Sequence, residues 1–182
     1  MKKAIAGFLA GILVSGLLAW QVGGSLMIQE YPSPFGIQET AARIQGNMQE
    51  AGWDLSGLRS PSNTIRALGA TVPDVLLVEA CNPDYSKPIL QDDKTRILSI
   101  LMPCTITIYE KEDGKVYMGL MNTALMGQLF GSTVASVMQK VAADQQKFIT
   151  FDASKPAPPL VKGKPGGGGG TGKGGLQDLG GC

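Results

Sequence analysis

Apolar and polar residues follow two different periods between residues 25 and 151, and the two periods predict an alternation of strands and helices. A spacing of four and three residues marks the apolar stripe of an amphipathic helix, carried by Ile37, Ala41, Ile44, Met48 and Ala51. Strict alternation over residues 105–109 predicts a strand with one buried face, and Asp113-Gly114 predicts a hairpin turn into the next strand. The predicted order of elements is β-α-β-α-β-α-β-β-α.

This order predicts an α+β fold: a small antiparallel or mixed sheet with helices packed on one face. The stretch "VPDVLLVEAC" is apolar enough for a strand in the interior of the sheet. Asn82-Pro83 comes directly after it and is typical of a helix N-terminus, so a short helix is expected to run toward Gln91. The last helix is expected to break near Gly131.

The N-terminus reads as a membrane anchor. Lys2 and Lys3 precede an uncharged stretch over residues 4–24, which matches the length needed to cross a bilayer core. A cleaved signal peptide is the alternative, but its apolar region would be shorter, and Trp20 stands where a cleavage site is expected. Residues 1–24 are therefore predicted to be an uncleaved transmembrane signal anchor. The lysines orient it so that the rest of the chain lies on the extracytoplasmic (periplasmic) side of the inner, cytoplasmic membrane.

Residues 152–182 are rich in proline, glycine and lysine, and this composition predicts a disordered tail. Cys182 is the last residue, too close to the end for a prenylation motif. The chain is thus divided into an anchor (1–24), an α+β domain (25–151) and a tail (152–182).

Composition excludes several functions. The 182 residues carry a net charge of +1, which gives no electrostatic footprint for nucleic acid. The chain has no histidine, so Ser-His-Asp catalysis and histidine-ligated metal sites are ruled out. No pair of carboxylates has a spacing that calls for acid–base chemistry. The sequence therefore argues against an enzyme, and no cofactor is predicted from it.

Two cysteines carry the only candidate chemistry. Cys81 and Cys104 are read as a disulfide, as a redox or metal site, or as two buried thiols. Met102 could add a thioether, and the set Cys81, Met102 and Cys104 would suit Cu(I) as a weak alternative. Side chains expected to line a pocket beside these cysteines are Asn82, Tyr85, Met102, Tyr109 and Glu110.

Several stretches together resemble the domain of unknown function 302 family. They are Glu39-Thr40, "EACNPDYSKPIL", "LMPCTITIYEKEDGKVYMGLMN" and "MGQLFG", and the resemblance runs from about Tyr31 to Phe148. It implies a compact α+β domain that forms homodimers. It brings no reaction, substrate or cofactor with it.

The leading hypothesis is a membrane-anchored extracytoplasmic binding or accessory module. Its expected partners are the lipid bilayer and a membrane-protein complex. The alternative hypothesis is a thiol-dependent redox or Cu(I)-handling protein that uses Cys81 and Cys104.

Overall fold

A five-stranded antiparallel sheet forms the framework of the computed structural model, which describes residues 11–12, 14–17 and 23–162. Its strands are β1 (Ile28–Ser33), β2 (Asp54–Arg59), β3 (Val75–Cys81), β4 (Cys104–Glu110) and β5 (Val116–Met121). Their order across the sheet is β1-β5-β4-β3-β2, and every neighbouring pair is antiparallel. The predicted α+β class is confirmed, with the sheet antiparallel rather than mixed.

The helices are α1 (Ile37–Glu50), α2 (Pro61–Ala67), α3 (Pro83–Gln91), α4 (Thr123–Gln128) and α5 (Ser132–Ile149). The last predicted helix is indeed two helices, because Gly131 adopts φ 90° between α4 and α5, a conformation that favours glycine. A 3-10 helix over Arg96–Leu101 was not predicted from the sequence pattern.

The core lies between one face of the sheet and the helices α1 and α5. The stripe predicted for α1 is confirmed, since Ala41, Ile44 and Met48 are fully buried. They meet sheet residues such as Ile106 and helix residues such as Phe148 in one apolar cluster. Full burial of a side chain of this size contributes about 1.5–3 kcal/mol to folding, so this layer holds α1 against the sheet.

Both edge strands of the sheet, β1 and β2, are irregular. β1 contains Pro32, which has no N–H for strand pairing. β2 contains a bulge between Leu55 and Gly57, where its register with β3 shifts.

Residues 152–162, here called the strap, lie along α1, so the predicted disorder from residue 152 is wrong for this stretch. The buried Gln45 side chain donates to Val161 O at 2.9 Å and accepts from Val161 N at 2.8 Å. Arg43 donates to the carbonyls of Asp152 and Lys155. Side chains of α1 thus satisfy the backbone of the strap, which composition alone does not indicate. Residues 163–182, including Cys182, lie outside the described residues.

The predicted anchor, residues 1–24, also lies mostly outside the described residues. Within the part of the chain that the structure describes, no helix has the length and apolar character needed to cross a bilayer. Residues 23–27 form a helical turn that leads into β1. Asn122 holds this turn to the sheet, because its backbone N–H donates to Met27 O at 2.8 Å and its side chain donates to Leu26 O at 2.9 Å.

Candidate functional site

A pocket of about 330 Å³ lies where β3 ends and β4 begins, and we call it the sheet-end pocket. The register explains its position: Ala80 of β3 is opposite Cys104 of β4, and the same end of the sheet carries Met121 of β5 and Ile28 of β1. α3, α5 and the 3-10 helix supply the remaining walls. Clefts of this size fall at the lower end of the range for small-molecule sites.

Five of the predicted site residues meet in this pocket: Cys81, Asn82, Tyr85, Met102 and Cys104. Asn82 also has the structural role predicted for it, because its Oδ1 accepts from Asp84 N at 3.0 Å at the start of α3.

Tyr109 and Glu110 do not line the pocket, and that part of the prediction is wrong. Both lie at the opposite end of β4 from Cys104. Five residues of extended strand at ~3.3 Å each place Tyr109 about 16 Å away.

Tyr109 instead belongs to a surface cluster at the far end of the sheet. Its hydroxyl donates to Glu30, and Lys111 Nζ donates to the same carboxylate at 2.5 Å. Burial, together with the Glu30 hydrogen bond, raises the pKa of Tyr109 to about 12. The ring stacks on Tyr117 with a centroid separation of 6.4 Å. These groups satisfy one another, so the cluster has the character of a surface polar network.

No disulfide joins the two cysteines of the pocket, since Cys104 is a free thiol. The sulfurs have different polar neighbours. Cys81 Sγ lies 3.7 Å from Ser86 Oγ, whereas Cys104 Sγ accepts from Gln145 Nε2 at 3.7 Å. The disulfide interpretation of this pair therefore does not describe the structure.

Burial raises the pKa of the Cys104 thiol to about 11, although the Gln145 hydrogen bond acts in the opposite direction. At neutral pH about one molecule in 10⁴ would carry a thiolate there, and the thiolate is the form that attacks disulfides and binds metals. Cys81, Met102 and Cys104 do line the same pocket. Cys81 is disulfide-bonded, however, so its sulfur is not available as a thiolate ligand for Cu(I). Among the described residues, no three His, Cys, Asp or Glu side chains are grouped to hold a metal ion.

Asp144 on α5 organises one wall of the pocket and was not predicted. This carboxylate is only 6% exposed and accepts from Trp53 Nε1 at 3.1 Å, Tyr85 Oη at 3.0 Å and Lys147 Nζ at 2.7 Å. Burial alone would raise its pKa, but the hydrogen bonds from Lys147, Trp53 and Tyr85 outweigh burial and lower it. Asp144 is thus an ionised anchor that orients Trp53 and Tyr85 at the pocket.

Gln145 is a second residue that the sequence analysis missed, and it lies inside the pocket. Its Oε1 accepts from Thr123 Oγ1 at 2.9 Å, and its Nε2 donates to Cys104 Sγ. The sequence carries a signal for both residues: two polar side chains, Asp144 and Gln145, interrupt the apolar stripe of α5. The buried residues of this helix are Val134, Val137, Met138, Val141, Asp144, Gln145 and Phe148. A polar residue on a buried stripe needs a partner, and Gln145 has two.

An ion pair between Arg59 and Glu79 closes one side of the pocket. The Glu79 side chain is largely buried, whereas that of Arg59 is mostly exposed. A Cβ on Gly57 would lie 3.1 Å from Glu79 Oε2, so the β2 bulge leaves room for this carboxylate. The pair neutralises itself, and the pocket has no net charge from these two residues.

Comparison with known proteins agrees with the architecture. The family model described as "Domain of unknown function DUF302" matches residues 29–150. The crystal structure of an uncharacterized conserved DUF302 protein from Bacillus stearothermophilus superposes with a TM-score of 0.60 at 16% identity, covering 68% of this chain and 95% of that one. No curated protein matches the chain. At this identity the structural likeness establishes the fold alone. The family match spans most of the chain, which therefore belongs to the DUF302 family.

Proposed function

We propose that this chain is a membrane-anchored extracytoplasmic binding module and that the sheet-end pocket is its ligand site. The observation that supports the proposal is that the pocket and the start of β1 lie at the same end of the sheet. The pocket opens at the end of the sheet where the N-terminal apolar stretch joins β1, since Ile28 is opposite Met121 and Met121 lines the pocket. Asn122, the next residue, holds the carbonyls of Leu26 and Met27.

The chemistry of the pocket supports binding rather than catalysis. Its polar groups include two amides (Asn82 and Gln145), hydroxyls, a protonated thiol and an ion pair whose charges cancel. Behind the wall, the carboxylate of Asp144 is held by three donors. Such a lining suits recognition of a mostly apolar molecule with a small number of polar atoms.

The thiol-dependent alternative has weaker support. It requires a thiolate at Cys104, which burial disfavours at neutral pH. Cys81, Met102 and Cys104 line one pocket, but Cys81 is disulfide-bonded and would have to be reduced before it could act as a thiol, so that hypothesis stays a prediction.

The location is tested with the full chain carrying a C-terminal epitope in cells. We expect the protein in the membrane fraction after alkaline carbonate washing, with an intact N-terminus by mass spectrometry. The epitope should be digested by protease added to spheroplasts and protected in inside-out vesicles. A chain recovered from the soluble fraction, or one that begins after Trp20, would contradict the anchor.

A further inference from the structure

The rim of the sheet-end pocket exposes large apolar side chains. Ile100 of the 3-10 helix is 83% exposed and lines the pocket, as does Met121 at 38%. Ile28 is opposite Met121 in the sheet and is 65% exposed, and Leu26, two residues earlier, is 53% exposed. An apolar rim around a pocket is typical of a site that meets a membrane or an apolar partner.

The N-terminal segment joins the sheet beside the apolar rim of the pocket. Asn122 ties residues 26 and 27 directly beside the pocket, and the uncharged stretch over residues 4–24 precedes them in the chain. If that stretch crosses the bilayer, as the proposed function requires, only a few residues separate the bilayer surface from the pocket rim. The apolar rim would then rest at the lipid interface.

The interior of the pocket indicates the chemistry of its occupant. A volume of about 330 Å³ holds on the order of ten groups of methylene size, at the ~30 Å³ that a water molecule occupies in the liquid. Among the described residues that line the pocket, the charged side chains are Arg59 and Glu79, and they pair with each other, so neither an anion nor a cation gains a free countercharge from them.

One donor in the pocket suits an oxygen atom. Gln145 Nε2 carries two N–H groups, and among the described residues it donates only to Cys104 Sγ at 3.7 Å, a weak acceptor. An uncharged hydroxyl or carbonyl oxygen would be a better acceptor for this amide. A carboxylate would have to leave water for a pocket that offers it no unpaired cation.

We infer that the sheet-end pocket binds an uncharged, single-chain amphiphile drawn from the bilayer, with its apolar chain in the pocket and its hydroxyl or carbonyl oxygen at Gln145. This inference rests on the proposed function and names the ligand class of the same site. The proposed binding of this ligand is noncovalent.

The test uses the full chain in phosphatidylcholine vesicles, with Trp20→Phe so that Trp53 in the pocket wall is the sole tryptophan. The probe is decanol brominated at its terminal carbon, since bromine quenches tryptophan at short range. We expect saturable quenching of Trp53 that unlabelled decanol reverses. Bromodecanoate, ionised above neutral pH, should need at least about 10-fold more probe for half-maximal quenching, because its charge has no partner in the pocket.

Three variants sharpen the test. Gln145→Met keeps the size of the side chain and removes the amide, so it should weaken decanol binding about 2- to 10-fold, the range for one neutral hydrogen bond. Ile100→Arg should weaken loading from vesicles, whereas Leu68→Arg, at an equally exposed residue (81%) outside the pocket lining, should leave loading unchanged. Preserved circular dichroism spectra exclude loss of fold as the cause.

The outcomes separate the two proposals. Absent quenching, or equal quenching by decanol and decanoate, with the chain still in the membrane fraction would overturn the ligand class and leave the anchored module standing. An unchanged response in Gln145→Met would overturn the assignment of the oxygen to that amide. A chain found in the soluble fraction would overturn the proposed function, and the bilayer as source of the ligand with it.

Discussion

Replacing Asp144 tests how the wall of the sheet-end pocket is held in place. Its Oδ2 accepts from Trp53 and Tyr85, and its Oδ1 accepts from Lys147. Asp144→Ala removes all three acceptor interactions and leaves the Trp53 N–H, on a residue only 4% exposed, without a partner. Asp144→Asn keeps an oxygen for Trp53 and Tyr85 and loses the interaction with Lys147.

The expected magnitudes follow from these contacts. Hydrogen bonds to a charged acceptor are worth ~1.5–3 kcal/mol each, and a stranded buried donor costs ~1–3 kcal/mol, while removal of the carboxylate recovers part of its desolvation cost. We therefore expect Asp144→Ala to lower the free energy of unfolding by about 3 kcal/mol. Lys147 is 67% exposed, so solvent screens its ion pair, and Asp144→Asn should cost only about 1 kcal/mol.

The pH dependence gives an independent check. The folded-state pKa of Asp144 is lowered, so its contribution to stability is present above the unfolded pKa of about 3.9 and is lost as the pH falls through the folded value. The difference in unfolding free energy between wild type and Asp144→Asn should thus be largest at neutral pH and shrink in acid.

The assay is urea unfolding of the full chain in one mild detergent, followed by circular dichroism. Asp93→Ala, at an exposed ion pair with Arg96, is the control and should change stability by less than about 0.5 kcal/mol. Equal losses for Ala and Asn, or a difference independent of pH, would refute the reasoning.

Three further predictions concern single contacts. Iodoacetamide should alkylate native Cys104 at neutral pH at least about 10-fold more slowly than Cys104 of the unfolded chain, because burial keeps the thiol protonated. Both alkylation rates are measured by peptide mass spectrometry, and equal rates would contradict the raised pKa. Gln45→Ala should speed tryptic cleavage after Lys162 at the end of the strap, since two hydrogen bonds to the neighbouring Val161 are lost. Gln38→Ala, on the exposed side of the same helix, should leave the cleavage rate unchanged. Gly127→Ala should lower the free energy of unfolding in urea by about 1–3 kcal/mol, because a Cβ there would lie 2.5 Å from Met138 Cβ. Alanine usually stabilises a helix relative to glycine, so a gain in stability would show that α4 and α5 can move apart.

The elements that could be predicted from sequence are those in which local chemistry and burial agree. The stripe of α1 and the Asn82-Pro83 start of α3 are examples, because apolar period and capping each act within a few residues. The neighbourhood of Cys81 and Cys104 was also predictable in outline, since an apolar strand and an alternating strand close in sequence are expected to pair.

The remaining features depend on distant contacts. Nearness in sequence predicts Tyr109 beside Cys104, but an extended strand separates its two ends by the summed length of its residues. Disorder is predicted for the strap because residues 152–182 as a whole are rich in proline, glycine and lysine, yet Arg43 and Gln45, more than a hundred residues earlier, bind its backbone. Asp144 is polar and charged, and only the approach of Trp53 and Tyr85 makes it part of the site.

The irregular border strands bear on how copies of this domain could associate. Proline in β1 withholds a donor at one border, and the bulge in β2 bends the other, and both devices discourage a foreign strand from extending a sheet. The homodimer that the family resemblance implies would accordingly be expected to form through faces or helices rather than as a continuous ten-stranded sheet. The same two irregularities would also reduce the tendency of concentrated protein to polymerise edge to edge.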